Sequence, residues 1–333
     1  MKNLHGLNKT HQLLFLIIAM LCFCSCNNNQ KTKNVSLIEI GFIDAFEDAT
    51  LAKARNGFVD ALQQNGFKND SNIHIKFLNA QGDIPMLTQA CQSMLSGNVK
   101  FIATNSTMAT IAAVKQTKDV PIFMMVAPRP DIAGLTKADG KSPSNLFGVY
   151  ETLFYIDSSI SIIHQLKPDV KKLGLIYNQA ETQSQDALEV VKKACANNNI
   201  ALLSLPVNSS ADSKIVTEAL LSKGIDVFFA LPDNVIFSSF ETIAKSCEKS
   251  NVPIFTSEAG LVSRGAVASY GADFYHWGFQ SGEQAANFLK SNSTKNLQPE
   301  EVKLRIRVIN KQKAEQYGII IPAGFEVIDT VSK

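Results

Sequence analysis

The chain has 333 residues, of which 45% are hydrophobic and 19% charged, a composition typical of a folded globular protein with room for two domains. The formal net charge is +2, and Lys2 and Lys9, in a leader without acidic residues, account for that excess. The rest of the chain is neutral overall. This balance argues against nucleic-acid binding through bulk electrostatics.

Residues 1–25 have the pattern of a secretory signal peptide. A basic start precedes the apolar run Leu13–Phe23, which is too short to span a bilayer and fits a signal core. The segment resembles a bacterial lipoprotein signal, in which a cysteine is lipidated and becomes the mature N-terminus. The small Ser25 precedes Cys26, whereas the bulky Phe23 precedes Cys24, so Cys26 is the better acceptor. An ordinary signal peptide with a chance cysteine is the alternative.

Residues 26–34 are polar and contain no side chain that a core could bury, which predicts a tether. Acyl chains on Cys26 would anchor the protein to the membrane, at the periplasmic or extracytoplasmic face of the cell envelope. The three cysteines of the body, Cys91, Cys195 and Cys247, are odd in number and lie in separate predicted helices. We interpret them as small buried apolar residues. We expect no metal site and no cofactor.

Strands and helices alternate along the chain after the tether. The first half is predicted to contain strands at 35–43, 72–78, 99–103 and 121–126 and helices at 50–64, 86–95 and 107–115. The second half is predicted to contain helices at 155–166, 184–197, 213–221 and 237–246 and strands at 172–177, 200–205, 227–231 and 253–256. A strand end and helix at 270–289, a strand at 302–310 and a helix at 311–317 follow. The tetrapeptide Val-Pro-Ile-Phe occupies equivalent places at Val120–Phe123 and Val252–Phe255.

This repeated pattern predicts an α/β protein with two Rossmann-like lobes, each built on a parallel sheet, because alternating strands and helices form right-handed parallel crossovers. We assign 35–148 plus about 263–292 to the first lobe, and 149–262 plus about 300–333 to the second. The stretch 134–148 is expected to be an exposed loop, and 260–266 the second crossing between lobes. Three crossings would form a hinge.

Ligands of open parallel sheets bind beyond the carboxyl ends of the strands. Polar loops follow the apolar strands in both halves, so we expect these loops to face one cleft between the lobes. Serine and asparagine before a helix are also favoured N-caps without any ligand. The candidate residues in these loops are Glu47, Asp48, Asn105, Ser106, Thr107, Asn178, Gln183, Ser184, Asp233, Asn234 and Glu258.

Several stretches, in this order and spacing, resemble bacterial ABC-transporter substrate-binding lipoproteins of the tryptophan/tyrosine-binding type. They are Asn56–Leu62, Asn79–Asp83, Lys118–Ile122, Leu173–Asn178, Pro232–Asn234 and Arg264–Ala266. The resemblance implies a periplasmic-binding-protein type I fold with a three-strand hinge and a small ligand, such as an amino acid. The chain departs from the family at the expected site. Asp48-Ala49 replaces His-Pro, Arg129-Pro130 replaces an acid-proline pair, and Glu258 replaces aspartate.

An amino acid ligand would need partners for both of its charges. The helix starts at Asn105–Thr107 and Gln183–Ser184 could hold the carboxylate. Asp233 and Glu258 are the candidates for the ammonium group.

Two further kinds of contact are expected at the site. Phe46 and Tyr275 could cover a flat side chain, or could be core residues. Arg129 could pair with Glu258 or bind an anionic ligand.

The resemblance further implies transport partners, an ABC permease and its ATPase. A ligand-sensing receptor module would share the whole fold and stays open as an alternative. An enzyme is less favoured, because G-x-S-x-G, H-E-x-x-H, P-loop and G-x-G-x-x-G motifs are all missing from the sequence.

Overall fold

Alternating strands and helices build two sheets in this computed structural model, which describes residues 37–136 and 139–329. The leader 1–25, the tether 26–34 and Cys26 lie outside the described residues. The first half contains β1 (Ile38–Asp44), α1 (Ala49–Gln64), β2 (Ile73–Asn79), α2 (Ile84–Ser96), β3 (Ile102–Asn105), α3 (Thr107–Gln116), β4 (Ile122–Met125) and β5 (Leu146–Tyr150).

The second half repeats the alternation and then extends it. It contains α4 (Tyr155–Leu166), β6 (Lys172–Asn178), α5 (Thr182–Asn197), β7 (Ala201–Val207), α6 (Ser213–Leu221), β8 (Val227–Ala230), α7 (Asn234–Lys249), β9 (Ile254–Thr256) and α8 (Ala259–Val262). The chain ends with β10 (Ala268–Ala272), α9 (Phe274–Ser291), β11 (Glu300–Glu301), β12 (Arg305–Asn310), α10 (Lys311–Gln316) and β13 (Glu326–Ile328).

The strands pair into two sheets, each the centre of one lobe. The first sheet has the order β11-β5-β4-β3-β1-β2, and all its pairs are parallel. The second has the order β13-β12-β10-β9-β8-β6-β7, in which the β10–β12 pair is antiparallel and the others parallel. The chain passes between the sheets at 151–154, 273 and 302–304. The predicted fold class, two parallel-sheet lobes with three crossings, is confirmed.

Burial on both faces explains why the strands are continuously apolar. All four residues of β4 and all four of β8 are buried, as expected for parallel strands covered by helices on both sides. In the first lobe Phe101 lies at the centre of a group of rings, with centroids 5.0 Å from Phe123 and 6.2 Å from Phe58. Each buried phenylalanine contributes about 1.5–3 kcal/mol relative to an exposed one.

Three lobe boundaries differ from the expected ones. β10 pairs with β9 and β12, so residues 268–272 lie in the second sheet and the return to the first lobe comes at 273 rather than near 263. Glu300 and Glu301 pair with β5 in the first sheet, although they were assigned to the second lobe. Leu146–Tyr150 is a buried strand instead of the end of a loop. In each case, pairing with a distant strand decides the assignment, and local sequence carries little signal of it.

Helix α9 returns to the first lobe and packs against α1 at unusually short distance. A Cβ atom built on Gly278 would lie 1.8 Å from the carbonyl oxygen of Ala54, and one on Gly57 would lie 1.9 Å from that of Tyr275. These contacts are far shorter than van der Waals distance, so only glycine fits where the two helices touch.

Gly278→Ala is therefore expected to lower the free energy of unfolding by about 2 kcal/mol or more, because the added methyl group overpacks the α1–α9 contact. Urea denaturation measures the change. Gly97→Ala is the matched control: Gly97 ends α2 with φ −79°, and its Cβ would lie no closer than 3.4 Å to any atom. This change should alter stability by less than about 1 kcal/mol. Equal effects of both substitutions would contradict the packing argument.

Candidate functional site

A cavity of about 40 Å³ lies between the two lobes, next to the crossing segments. This volume holds a few water molecules and is too small for an amino acid, so binding of an amino acid here requires the lobes to separate. Its lining comes from both lobes: Thr107, Val126, Ala127, Pro128, Glu151, Leu153, Tyr155, Gln183, Pro232, Asn234, Phe237, Glu258, Phe274 and Trp277.

The carboxyl ends of the strands and the first turns of helices supply this lining. Thr107 begins α3, Gln183 lies in the first turn of α5, and Asn234 begins α7. The N-terminal ends of these three helices, one in the first lobe and two in the second, therefore lie at the cavity wall, as do the first residues of α4 (Tyr155) and α9 (Phe274). Such an arrangement favours a negatively charged group.

Glu258 carries a buried carboxyl group at the start of α8. It is 2% exposed, and its Oε1 accepts a hydrogen bond of 3.0 Å from the Tyr155 hydroxyl. Its Oε2 has no hydrogen-bond partner among the described residues. Burial raises the pKa of Glu258 to about 8, and the nearby Glu151 adds to that shift, while hydrogen bonds from Tyr155 and Ser257 oppose it. An unpaired acceptor beside a cavity is suited to a cationic hydrogen-bond donor.

Glu151 also lines the cavity, but its carboxylate is already paired. Arg305 donates to both of its oxygens, from Nε at 2.9 Å and from a terminal nitrogen at 2.5 Å. Burial still raises the pKa of Glu151 to about 7, against the opposing effect of the Arg305 guanidinium. Because no Lys, Arg or His occurs among the described residues that line the cavity, its charged groups are acidic.

Aromatic rings form one side of the cavity. Phe237 of the second lobe and Phe274 of the first have ring centroids 6.2 Å apart, nearly perpendicular. Trp277 lies 5.6 Å from Phe274 and donates its indole N–H to the Val149 carbonyl at 2.8 Å. The contact between Phe237 and Phe274 crosses the cleft, so closure of the lobes assembles this aromatic surface.

Four sequence-predicted residues line the cavity: Thr107, Gln183, Asn234 and Glu258. The expectation that the strand-end loops of both lobes converge agrees with this geometry. The two predicted aromatic residues do not line this cavity. Phe46 is buried in the core of the first lobe. The hydroxyl of Tyr275 bonds to Asp60 at 2.9 Å, away from the cavity.

Sequence reasoning missed Phe274 and Trp277, which lie one helical turn apart. Residues at i and i+3 share a face of a helix, whereas Tyr275 points elsewhere. That spacing was the available signal. The apolar Phe237, one turn into α7, carried no comparable signal because it reads as an ordinary core residue.

Asp233 does not offer a free carboxylate, contrary to its proposed role as a partner for an ammonium group. Its Oδ1 accepts from the backbone N–H groups of Val235 and Ile236 and caps α7. Its Oδ2 accepts from the Asn178 N–H at 2.7 Å and the Ser184 hydroxyl at 2.5 Å. With 1% exposure and four donors, Asp233 joins β6, α5 and α7 within the second lobe.

Other predicted residues do not belong to the cavity lining but form hydrogen bonds within their own lobes. Asn105 donates to Asp44 at 2.8 Å and to the Leu51 carbonyl at 2.9 Å. Ser106 caps α3, because its hydroxyl oxygen accepts a hydrogen bond from the Ala109 N–H. Its φ angle is +110°. Asn178 donates to Glu181 at 3.0 Å.

Three more of the predicted residues lie outside the cavity lining. Glu47 is exposed and accepts a hydrogen bond from Asn79. Arg129 forms a bidentate pair with Asp131, with bonds of 2.6 and 2.8 Å, so it neither reaches Glu258 nor faces the cavity. Asp48 pairs with Arg264.

Cys91, Cys195 and Cys247 are buried and free, as the sequence predicted. In the described ranges, no helix combines the length and apolar composition needed to cross a membrane. Nor do three or more His, Cys, Asp or Glu side chains in those ranges gather in a way suited to a metal ion.

The family of the chain follows from comparison with known proteins. A family model described as ABC transporter substrate binding protein matches residues 39–329, which include both lobes and all three crossings. The chain belongs to this family. This substrate-binding protein is also 34% identical, over 298 residues, to the tyrosine-binding protein of Clostridioides difficile (strain R20291), with 86% of each chain covered.

Two solved structures compare differently with this substrate-binding protein. It matches the ABC domain from Streptococcus pneumonia in complex with L-Trp with a TM-score of 0.80, at 25% identity, with 88% of this chain and 100% of that one covered. The ligand-free, open structure of a substrate binding protein with adhesive properties from Clostridium difficile matches with a TM-score of 0.67, at 27% identity and the same coverage. Of these two structures, the L-Trp complex has the higher TM-score.

The raised pKa of Glu258 predicts how stability depends on pH. Its ordinary value is 4.5 and its folded value about 8, so between these pH values the folded state binds more protons than the unfolded state. The contribution of Glu258 to stability is complete below about pH 4.5 and is lost as pH rises towards 8, by at most about 1.4 kcal/mol per pH unit.

Urea denaturation at several pH values from 5 to 8 measures this slope in the wild type and in Glu258→Gln. The glutamine cannot titrate, so the variant should lose stability less steeply as pH rises. Other buried acids titrate in both proteins and cancel in the comparison. If the free energy of unfolding changed equally with pH in the two proteins, Glu258 would be ionised throughout this range.

Proposed function

We propose that this protein binds an aromatic amino acid in the cleft between its lobes and delivers it to an ABC permease as the extracytoplasmic component of an importer. One observation carries the proposal. The free oxygen of Glu258 belongs to a cavity that is otherwise lined by aromatic rings and by the starts of three helices. These three features match the ammonium, side chain and carboxylate of such a ligand.

The amino group of the ligand pairs with Glu258. In its apolar surroundings the carboxyl group of Glu258 keeps its proton. An arriving ammonium group would stabilise the ionised form of Glu258 and so favour release of that proton. Glu151 remains bound to Arg305 and supplies a second negative charge nearby. A ligand without a cationic group would leave Glu258 buried and unpaired, which is unfavourable.

The carboxylate of the ligand takes the opposite end of the site. The hydroxyl of Thr107 and the dipoles of the three helices are suited to it. The side-chain amides of Gln183 and Asn234 each donate one hydrogen bond to Glu181 and keep a second N–H for the ligand. Since Thr107 belongs to the first lobe and the two amides to the second, the carboxylate joins the lobes. A ligand that bridges two lobes favours their closed arrangement.

The side chain of the ligand contacts Phe237, Phe274 and Trp277. Aromatic pairs contribute about 0.5–1.5 kcal/mol beyond their buried area, which favours an aromatic over an aliphatic amino acid. The names of two relatives support this choice, since one is a tyrosine-binding protein and another was solved with L-Trp.

Glu258→Gln should weaken binding of L-tyrosine or L-phenylalanine at least tenfold, because a buried charge pair loses its anionic partner. Trp277 is the only tryptophan in the chain and lines the cavity, so its fluorescence can follow the titration. Glu47→Gln is the matched control, since Glu47 is exposed and outside the cavity, and it should leave the affinity unchanged. Binding by Glu258→Gln at wild-type affinity would remove Glu258 from the site.

The leader supports a lipid-anchored protein of the cell envelope, with Cys26 as the lipidated residue. Cys26→Ala should release the protein from the membrane fraction and remove the mass of the acyl chains, because a polar sequence without acyl chains has no apolar group to insert into the bilayer. Fractionation and intact-mass spectrometry measure both effects, and Cys24→Ala is the control that should change neither. If the Cys26→Ala variant stayed in the membrane fraction with the same acyl mass as the wild type, lipidation of Cys26 would be contradicted.

A further inference from the structure

Arg264 lies between α8 and β10 in the second lobe, with only 7% of its side chain exposed. Its own lobe holds the guanidinium in place. It donates to both carboxylate oxygens of Glu241 at 2.7 and 3.0 Å and to the Phe237 carbonyl at 2.8 Å. The guanidinium also lies 5.4 Å from the centre of the Phe240 ring. All these contacts are with α7.

The remaining nitrogen of Arg264 reaches the first lobe. It donates to Asp48 Oδ2 at 2.5 Å and lies 3.4 Å from the Thr50 hydroxyl. The side chain of Asp48 is 2% exposed. Its other oxygen, Oδ1, caps α1 by accepting from the N–H groups of Thr50 and Leu51 at 2.7 and 3.0 Å. Asp48 is therefore held in position by its own lobe, as Arg264 is.

The surfaces beside this ion pair also fit closely. A Cβ atom built on Gly260 of α8 would lie 2.3 Å from the Thr50 side chain, so the start of α1 is in van der Waals contact with the second lobe. Among the described residues that line the ligand cavity, neither Asp48 nor Arg264 occurs. The ion pair thus lies outside the cavity lining, although Arg264 also bonds to the backbone of Phe237, which belongs to that lining.

We propose that the Arg264–Asp48 pair is a latch that stabilises the closed arrangement of the lobes and thereby determines how slowly the ligand dissociates. The pair is buried when the lobes touch, so salt screens it little. Opening leaves neither charge stranded, because Arg264 keeps Glu241 and Asp48 keeps the N–H groups of α1, and water reaches both. These partners hold both groups ready to pair again.

The latch acts on the equilibrium between open and closed forms. The apparent affinity for a ligand decreases when a smaller fraction of the protein is closed. Weakening the latch should therefore weaken binding without changing any ligand contact. The ligand enters the open form, so its association rate should not fall. This effect rests on the proposed function for its ligand, but the latch itself can be tested without one.

Asp48→Asn is the decisive variant. Asparagine is as good an N-cap as aspartate, so α1 keeps its cap while the charge that faces Arg264 is lost. Asp48→Ser also keeps the cap, but the shorter serine side chain does not reach Arg264. We expect both variants to bind L-tyrosine or L-phenylalanine about tenfold more weakly, with faster dissociation in stopped-flow Trp277 fluorescence, and to unfold at nearly the wild-type urea concentration.

Small-angle X-ray scattering of the protein without ligand gives the second measurement. Both variants should have a larger radius of gyration than the wild type, since their lobes open more often. Glu248→Gln is the matched control. Glu248 pairs with Lys313 inside the second lobe, so its loss removes a surface ion pair without affecting the contact between lobes, and neither affinity nor radius should change.

Three results would overturn the latch. The first is an unchanged radius of gyration in both variants. The second is a loss of affinity caused by slower association of the ligand. The third is a loss of free energy of unfolding as large as the loss of binding free energy, which would show that the pair only stabilises the fold. If no amino acid binds the wild type, the proposed ligand is wrong, and the scattering comparison still decides for or against the latch.

Discussion

The direction of the strands within each sheet is the constraint on which the site depends. β1, β3, β4 and β5 run parallel in one lobe, as do β6, β8 and β9 in the other, so each lobe gathers its strand-end loops at one edge. Each of the following helices then begins at that edge. The starts of α3, α5 and α7 reach the same cavity for this reason, although Thr107 and Asn234 are far apart in sequence.

Three buried acids near the cleft show that burial alone does not make a ligand-binding group. Asp233 accepts four hydrogen bonds from its own lobe and is a structural residue. Glu151 is bound by Arg305, so this pair joins the first crossing segment to the start of β12. Glu258 keeps one oxygen without a partner among the described residues. The ammonium group of a ligand can therefore gain most from Glu258, since only there is a strong acceptor left to satisfy.

Contacts between the lobes divide into two kinds. Phe237 and Phe274 touch at the cavity, where a ligand would come between or beside them. Arg264 and Asp48 touch outside it. Affinity in such a protein is the sum of what the ligand gains and what the lobes gain or lose on closing. Residues remote from the ligand can therefore change affinity as much as residues that contact it.

The sequence by itself determined the fold class, the number of crossings and the edge at which the site lies, because the alternation of apolar strands with amphipathic helices allows few topologies. Their places after strands also singled out Thr107, Gln183, Asn234 and Glu258, four of the residues that line the cavity. Tertiary structure alone decided that Asp233 is fully bonded, that Tyr275 faces away while Phe274 and Trp277 face the cavity, and that β10 joins the second sheet. The physical reason is that these outcomes depend on partners brought together from distant parts of the chain, and local pattern carries no information about such partners.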